Sequence, residues 1–201
     1  MALFSRSEIA NCFTWKSINQ PSRPSLCLSV SLSLFSSTSL TQKSANCFEV
    51  RGKTLGIIGY GHVGAQLGII AEFFGMKVVW YDHQPLMPIG NSVPLDSMAD
   101  VLKQADFLSI HISEIEENAN LIKKEQLALM KKGSFLLNAS YGKAVDLDAL
   151  TEALKSGHLF GAALDAFPPD LNHDDPSFLK SLKAQPNVIL TPRLGGLSLS
   201  T

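Results

Sequence analysis

Residues 54–82 read TLGIIGYGHVGAQLGIIAEFFGMKVVWYD, and the order of residue types in this stretch decides the fold. Leu55 to Ile58 is a short apolar run rich in isoleucine, the length of a strand buried on both faces of a parallel sheet. Gly59, Gly61 and Gly64 follow at once. Val63 to Phe74 then carries a helical pattern closed by Gly75 as its C-cap. Lys77 to Tyr81 reads as a second strand, with Asp82 at its end. The whole is one βαβ unit.

Each glycine has a separate physical task in such a unit. Gly59 turns the chain sharply out of the strand, Gly61 leaves room for a pyrophosphate to approach the backbone, and Gly64 lets the helix pack closely on the strand. The start of the helix offers unpaired N–H groups and the positive end of its dipole to phosphate oxygens. Asp82 follows Gly61 by about 21 residues, close to the spacing of an acid that hydrogen-bonds the adenosine ribose hydroxyls. His83, Gln84 and Pro85 come next, with no Lys or Arg to balance a 2′-phosphate, so the pattern points to NAD rather than NADP. The competing reading is a glycine-rich turn in another α/β protein, with Asp82 as a surface cap.

Composition sets wider bounds. A chain of 201 residues with net charge −1 and 45% hydrophobic residues suits one good-sized globular α/β domain and gives no sign of a nucleic-acid partner. The three cysteines, Cys12, Cys27 and Cys47, all precede the glycine motif. They form no CxxC or Cys/His metal spacing, and no metal site is expected.

Residues 1–47 differ in kind and are expected to be a low-complexity, poorly structured segment rich in Ser and Leu, with SLCLSVSLSLFSSTSL at 25–40. Glu8 is the only acid before Glu49. A Ser-rich, acid-poor, weakly basic stretch over 1–43 fits organelle targeting in part. A tail without function and a strand-pairing segment are the other readings. The tetrapeptide ANCF occurs at 10–13 and again at 45–48. Serine at nearly every other position leaves no span of about 18 to 20 apolar residues for a membrane helix.

After Asp82, a loop with Pro85, Pro88, Gly90 and Pro94 is expected to lack regular structure. Helices follow at Leu95–Gln104, Lys123–Met130 and Asp146–Ser156, the last with Asp146 as N-cap and Gly157 as C-cap. Strands are expected at Asp106–Ile110, Ser134–Leu137, Leu159–Leu164 and Asn187–Leu190. Six strands alternating with helices predict a Rossmann-type doubly wound parallel sheet over residues 48–201. Ligands of such sheets sit at the carboxyl ends of the strands. There the chain places Gly59–Gly64, Asp82, His111, Asn138–Tyr141, Asp165 and Arg193–Gly196.

From about Phe48 onward the sequence resembles the NAD-binding domain of the D-isomer-specific 2-hydroxyacid dehydrogenases, and within them the phosphoglycerate dehydrogenases. The match is carried by FEVRGKTLGIIGYGHVGAQLG (48–68), MKVVWYD (76–82), LMKKGSFLLNAS (129–140), VDLDALTEAL (145–154), GAALDAFP (161–168) and NVILTP–LGG (187–196). The resemblance implies that His62 and Val63 meet the pyrophosphate with backbone N–H groups and that Asp82 holds the ribose. It places Ala139 and Ser140 beside the nicotinamide, makes Asp165 the acceptor from its carboxamide, and closes that end with Gly195 and Gly196. Against this, His62 could be a solvated residue at a helix start and Asp165 a strand-end cap.

Three positions depart from the family. Its members carry Arg, Glu and His where this chain has Tyr141, Asp170 and Arg193. The family's histidine gives a proton to the carbonyl oxygen, a task that needs a group titrating near the working pH. Arg193 stays protonated and cannot exchange that proton. Tyr141 offers a single hydrogen bond and no bidentate grip on a carboxylate. The family's substrate domain flanks the NAD-binding domain, and this chain is expected to lack it. The strand end at His111-Ile112-Ser113 also departs from a family pattern that runs into Pro.

The resemblance therefore implies an oxidoreductase module acting on CH–OH donors with NAD as acceptor, in serine biosynthesis for this branch, with its catalytic set replaced. The alternative is a non-catalytic NAD-binding or dimerisation module; a third possibility is an enzyme in which Arg193 anchors the substrate and Tyr141 is the acid. Expected partners are NAD(H), a small 2-hydroxy or 2-oxo acid, and a second copy or a full-length relative. Neither nucleic acid nor membrane is expected as a partner. The expected location is the cytoplasm, or an organelle if residues 1–43 direct it there.

Overall fold

The computed structural model describes residues 49–166, 181–182 and 184–191. The described residues from Arg51 onward belong to one compact unit. The elements are β1 (Thr54–Ile58), α1 (His62–Phe73), β2 (Lys77–Tyr81), β3 (Val93–Pro94), α2 (Met98–Gln104), β4 (Phe107–Ile110), α3 (Lys124–Leu129), β5 (Ser134–Asn138), α4 (Leu147–Lys155), β6 (Leu159–Leu164) and β7 (Val188–Leu190). All strand pairs are parallel, and the sheet order is β3-β2-β1-β4-β5-β6-β7. The fold is the Rossmann-type α/β sheet that the sequence implies.

Seven strands are described where six were expected. The addition is β3, inside the segment read as a loop, where Val93 pairs with Val79 and Pro94 with Trp80. Proline is tolerated because β3 lies at the sheet edge, and the N–H of Leu95, one residue on, donates to the Trp80 carbonyl at 2.9 Å. Two residues are too few to show a period, so the strand is invisible in sequence.

Helix ends follow local chemistry. α2 starts three residues later than expected, because the Ser97 hydroxyl accepts from the Asp100 N–H at 3.2 Å and caps the helix. Asp146 caps α4 as read, accepting from the N–H groups of Asp148 and Ala149 at 3.1 Å each.

Alternate strand residues point to opposite faces. Ile58, Val79, Leu108, Ile110, Leu136 and Leu164 meet α2, α3 and α4 in the larger core. Leu55, Ile57, Val78 and Trp80 meet α1 in the smaller one. α2 lies against β1 at Gly56, where an added Cβ would stand 2.7 Å from the Ala105 Cβ and 2.8 Å from Val101 Cγ1.

At the amino end of the sheet Asp106, just before β4, is bonded to the start of β1 and to the turn before β5. Its carboxylate accepts the Thr54 N–H at 2.8 Å and the Lys131 ammonium at 3.0 Å. Burial alone would raise this carboxyl, but the Thr54 and Lys131 hydrogen bonds and the charges of Lys131 and Lys53 outweigh it and hold it below the usual value. A depressed folded-state value stabilises the fold above the unfolded-state value of about 3.9 and is lost as pH falls through the lower folded value. Asp106→Asn is expected to cost about 1 kcal/mol at neutral pH. That difference should shrink in urea unfolding as the pH is taken down through the lowered folded-state value; a cost that stays the same over that range would refute the electrostatic account.

Candidate cofactor site

The sheet order reverses between β1 and β4, because the chain runs outward through β2 and β3 and then returns to the other side of β1. A crevice forms outside the carboxyl ends of strands at such a switch point. The two strand ends are joined directly, the His111 N–H donating to the Ile58 carbonyl at 2.8 Å. A cleft of about 410 Å³ opens here, lined by Gly61–Gly64, by His111–Glu114 and by Ala139 and Ser140.

Gly59 and Gly64 make the sharp turn and the close packing that their spacing implies. Gly59 has φ +90°, and an added Cβ would strike the His111 carbonyl oxygen. A Cβ on Gly64 would strike the Gly59 carbonyl oxygen, so α1 presses against the turn. Around Gly61, by contrast, no atom lies within 4 Å of an added Cβ. That open space lies above the start of α1. Gly61 gives α1 no side-chain cap, and the first turn carries no acid. The N–H groups of His62 and Val63, both exposed, sit at the positive end of the helix with no intrahelical acceptor.

Asp82 is held from two sides. Its Oδ2 accepts the Tyr60 N–H at 2.8 Å and its Oδ1 the Gln84 N–H at 3.0 Å. His83 Nδ1 lies 3.1 Å from Oδ1, with its ring largely in solvent. The carboxylate is thus fixed against the residue between Gly59 and Gly61.

Across the cleft, Asn138 shapes the loop after β5. Its side-chain amide donates to the Tyr141 carbonyl at 2.8 Å, and its Oδ1 accepts both the N–H and the hydroxyl of Ser140 at 3.1 Å. Ala139 and Ser140 are thereby presented to the cleft. Tyr141 is not: its side chain is buried in the larger core and is absent from the cleft lining. Asp165, at the end of β6, accepts from the Thr191 hydroxyl, while its N–H donates to the Asn138 carbonyl at 2.9 Å. Asp170, Arg193, Gly195 and Gly196 lie outside the described residues, as do residues 1–47.

The sequence reading passed over two residues that organise the site. Asn138 was noted only as part of a strand end; an Asn directly after a buried strand, with Ser two positions on, was the available signal. His111 was likewise noted only by position. It is half-buried, its Nε2 lies 2.8 Å from the Ser109 hydroxyl, and burial pulls its pKa below the ordinary value, so the ring beside the cleft is kept neutral. Among the described residues no three His, Cys, Asp or Glu side chains gather as for a metal, and no helix is long and apolar enough to cross a membrane.

Comparison with known proteins agrees with this geometry. Residues 33–195 match the family model for the D-isomer specific 2-hydroxyacid dehydrogenase, NAD binding domain. The chain is 47% identical over 155 residues to D-3-phosphoglycerate dehydrogenase of Dictyostelium discoideum, covering 77% of this chain and 38% of that protein. It is 46% identical over 153 residues to the Escherichia coli K12 enzyme of the same name, covering 76% and 37%. The chain therefore spans well under half the length of these relatives. Among solved structures it is similar to D-lactate dehydrogenase with NAD+ from Lactobacillus jensenii, with a TM-score of 0.66 and 36% identity, covering 71% of this chain and 46% of that one. A glycine turn with room only above Gly61, an acid locked to that turn and a matching family model over most of its length lead to one statement: the chain belongs to the D-isomer-specific 2-hydroxyacid dehydrogenase family and carries its NAD-binding domain.

Proposed function

We propose that residues 48–201 hold NAD(H) as the cofactor half of a phosphoglycerate dehydrogenase-like protein, and that this chain alone does not turn over substrate. In this reading Asp82 takes the adenosine ribose, and the N–H groups of His62 and Val63 take the pyrophosphate beside Gly59, Gly61 and Gly64. Ala139, Ser140 and Asp165, with Gly195 and Gly196, take the nicotinamide end. Bound NAD would supply the hydride acceptor for a CH–OH donor. The observation that carries the reading is the open volume at Gly61, with Asp82 anchored to Tyr60 on one side and Ala139 and Ser140 facing it across the cleft.

The loss of turnover is argued from residue chemistry. The family's carboxylate-binding Arg is replaced by Tyr141, whose ring is spent on the core. Its proton donor is replaced by Arg193, which does not titrate near neutral pH. Serine biosynthesis and a 2-hydroxy acid as substrate rest on the family resemblance; the cytoplasm is the location proposed with them, and the composition of residues 1–43 supports an organelle as the alternative.

A second reading is favoured by α1. Ile69, Ile70 and Phe73 are exposed there, Phe73 at 77%, which suits a non-catalytic module that pairs with a second copy or a full-length relative. Sedimentation with and without such a relative separates the two readings.

The test is a titration of the chain, carrying Trp15→Phe, with NADH. Trp80 is fully buried and stacked on Tyr60 at 4.0 Å, so it reports on the turn that holds Asp82. Saturable energy transfer is expected. Thermal unfolding should shift upward, by the equivalent of roughly 2.7 kcal/mol at 100 times the dissociation constant. No change in NADH absorbance is expected with phosphoglycerate and NAD+. A folded chain without saturable transfer would refute the cofactor reading; turnover would refute the claim of inactivity.

A further inference from the structure

We propose that Tyr60 is the positioning residue of the adenosine half of the site, acting through the loop that leaves Asp82. This rests on the NAD(H) reading above. Tyr60 stands between Gly59 and Gly61, yet its side chain points away from the cleft and is 3% exposed. The ring lies flat on Trp80 of β2, with centroids 4.0 Å apart and planes 9° apart. Gly68 of α1 meets its other edge: an added Cβ there would stand 3.5 Å from the Tyr60 ring and hydroxyl. Tyr60 thus spaces α1 from β2.

Its polar groups reach two further places. The backbone N–H holds Asp82 Oδ2. The hydroxyl lies 2.7 Å from the buried Ser92 Oγ, which in turn donates to the Ile89 carbonyl at 2.9 Å. Residues 83–92 run from Asp82 to Ser92 and contain Pro85, Pro88 and the exposed Leu86, Met87 and Ile89. Regular pairing begins only at Val93. A second tether comes from α1, where Glu72 Oε1 accepts the Asn91 N–H at 2.8 Å. Both tethers to the far end of this loop come from the turn and the helix that would carry the pyrophosphate.

The physical consequence is a shared frame. A dinucleotide must place its pyrophosphate over the first turn of α1 while its ribose meets Asp82, and binding weakens when these two points are not held at a fixed separation. The Asp82 Oδ1 contact to the Gln84 N–H depends on where the loop starts. The Tyr60–Ser92 contact sets where it ends. Releasing the hydroxyl lets the loop, and with it one of the two donors that aim the carboxylate, relax.

The experiment uses the 201-residue chain with Tyr60→Phe, which keeps the ring and removes the hydroxyl's contacts to Ser92 Oγ and to the Ile89 carbonyl at 3.4 Å, and with Ser92→Ala, which removes the first of these and the Ser92–Ile89 bond. Each is expected to weaken NADH and ADP-ribose by the same factor, about fivefold or more, while leaving inorganic pyrophosphate binding unchanged. The double variant should fall short of the summed effects of the two single ones, because they share the Tyr60–Ser92 contact. A purely structural role would lower the melting temperature and weaken all three ligands together. Wild-type NADH affinity in both folded variants would overturn this inference alone. Absence of saturable NADH binding in the unaltered chain would overturn it together with the cofactor reading.

Discussion

Gly59→Ala is expected to lower the melting temperature by on the order of 5–15 °C and to abolish NADH binding. The residue has φ +90°, where a β-carbon costs roughly 1–2 kcal/mol. The new methyl would also strike the His111 carbonyl oxygen, a backbone atom pinned through its own N–H to Ile58. Forcing the two apart adds about 1–3 kcal/mol. For a domain of this size each kcal/mol moves the transition by roughly 2–4 °C. Gly61→Ala is the control. It has φ −67° and open space around its Cβ, so the fold should melt as before, while NADH affinity falls tenfold or more, about 1.4 kcal/mol, because the methyl occupies the phosphate approach. Equal thermal effects at the two glycines would refute the assignment of their separate tasks.

Asp82→Ala should damage binding and stability together. A ribose hydroxyl bonded to a carboxylate is worth about 1.5–3 kcal/mol, so NADH affinity should drop roughly ten- to a hundredfold. The same change strips the Tyr60 and Gln84 N–H groups of their acceptor. Tyr60 is buried, and an amide left unpaired there costs about 1–3 kcal/mol. Asp82→Asn retains one acceptor oxygen and should recover part of the stability but little of the affinity. Calorimetric titration and chemical unfolding on the same samples would check both halves. Unchanged NADH affinity in Asp82→Ala would remove this residue from the site.

The placement of Tyr141 bears on any attempt to restore activity. Tyr141→Arg alone would exchange a buried ring for a guanidinium in the larger core, where an unpaired charge is expensive to hold. The family's Arg therefore cannot simply be written back unless its side chain turns outward to the cleft beside Ser140.

Local periodicity and punctuation were enough to determine the central unit. The run Leu55–Ile58, the three glycines, the α1 pattern and Asp82 lie within thirty residues, and each signal is a property of neighbours in the chain. The caps at Asp146 and Gly157 were legible for the same reason, because a cap is a contact across three or four residues. Strand β3 was not, since its two residues form a strand only by lying beside Val79 and Trp80. The start of α2 was misplaced because the hydrophobic pattern runs on through Leu95, whereas Ser97 stops the helix with one hydrogen bond.

What the tertiary structure alone decided is direction. Composition could not say that Tyr60 points back onto Trp80 and Ser92, that Tyr141 turns into the core, or that Asn138 holds Ser140 toward the cleft. Nor could it say that His111 lies over Gly59. Apart from the local Asn138–Ser140 bonds, these depend on partners distant in the chain, brought together by strand order and crossover handedness. Residue types show which chemistry a chain can offer, and packing sets which of those groups face the ligand.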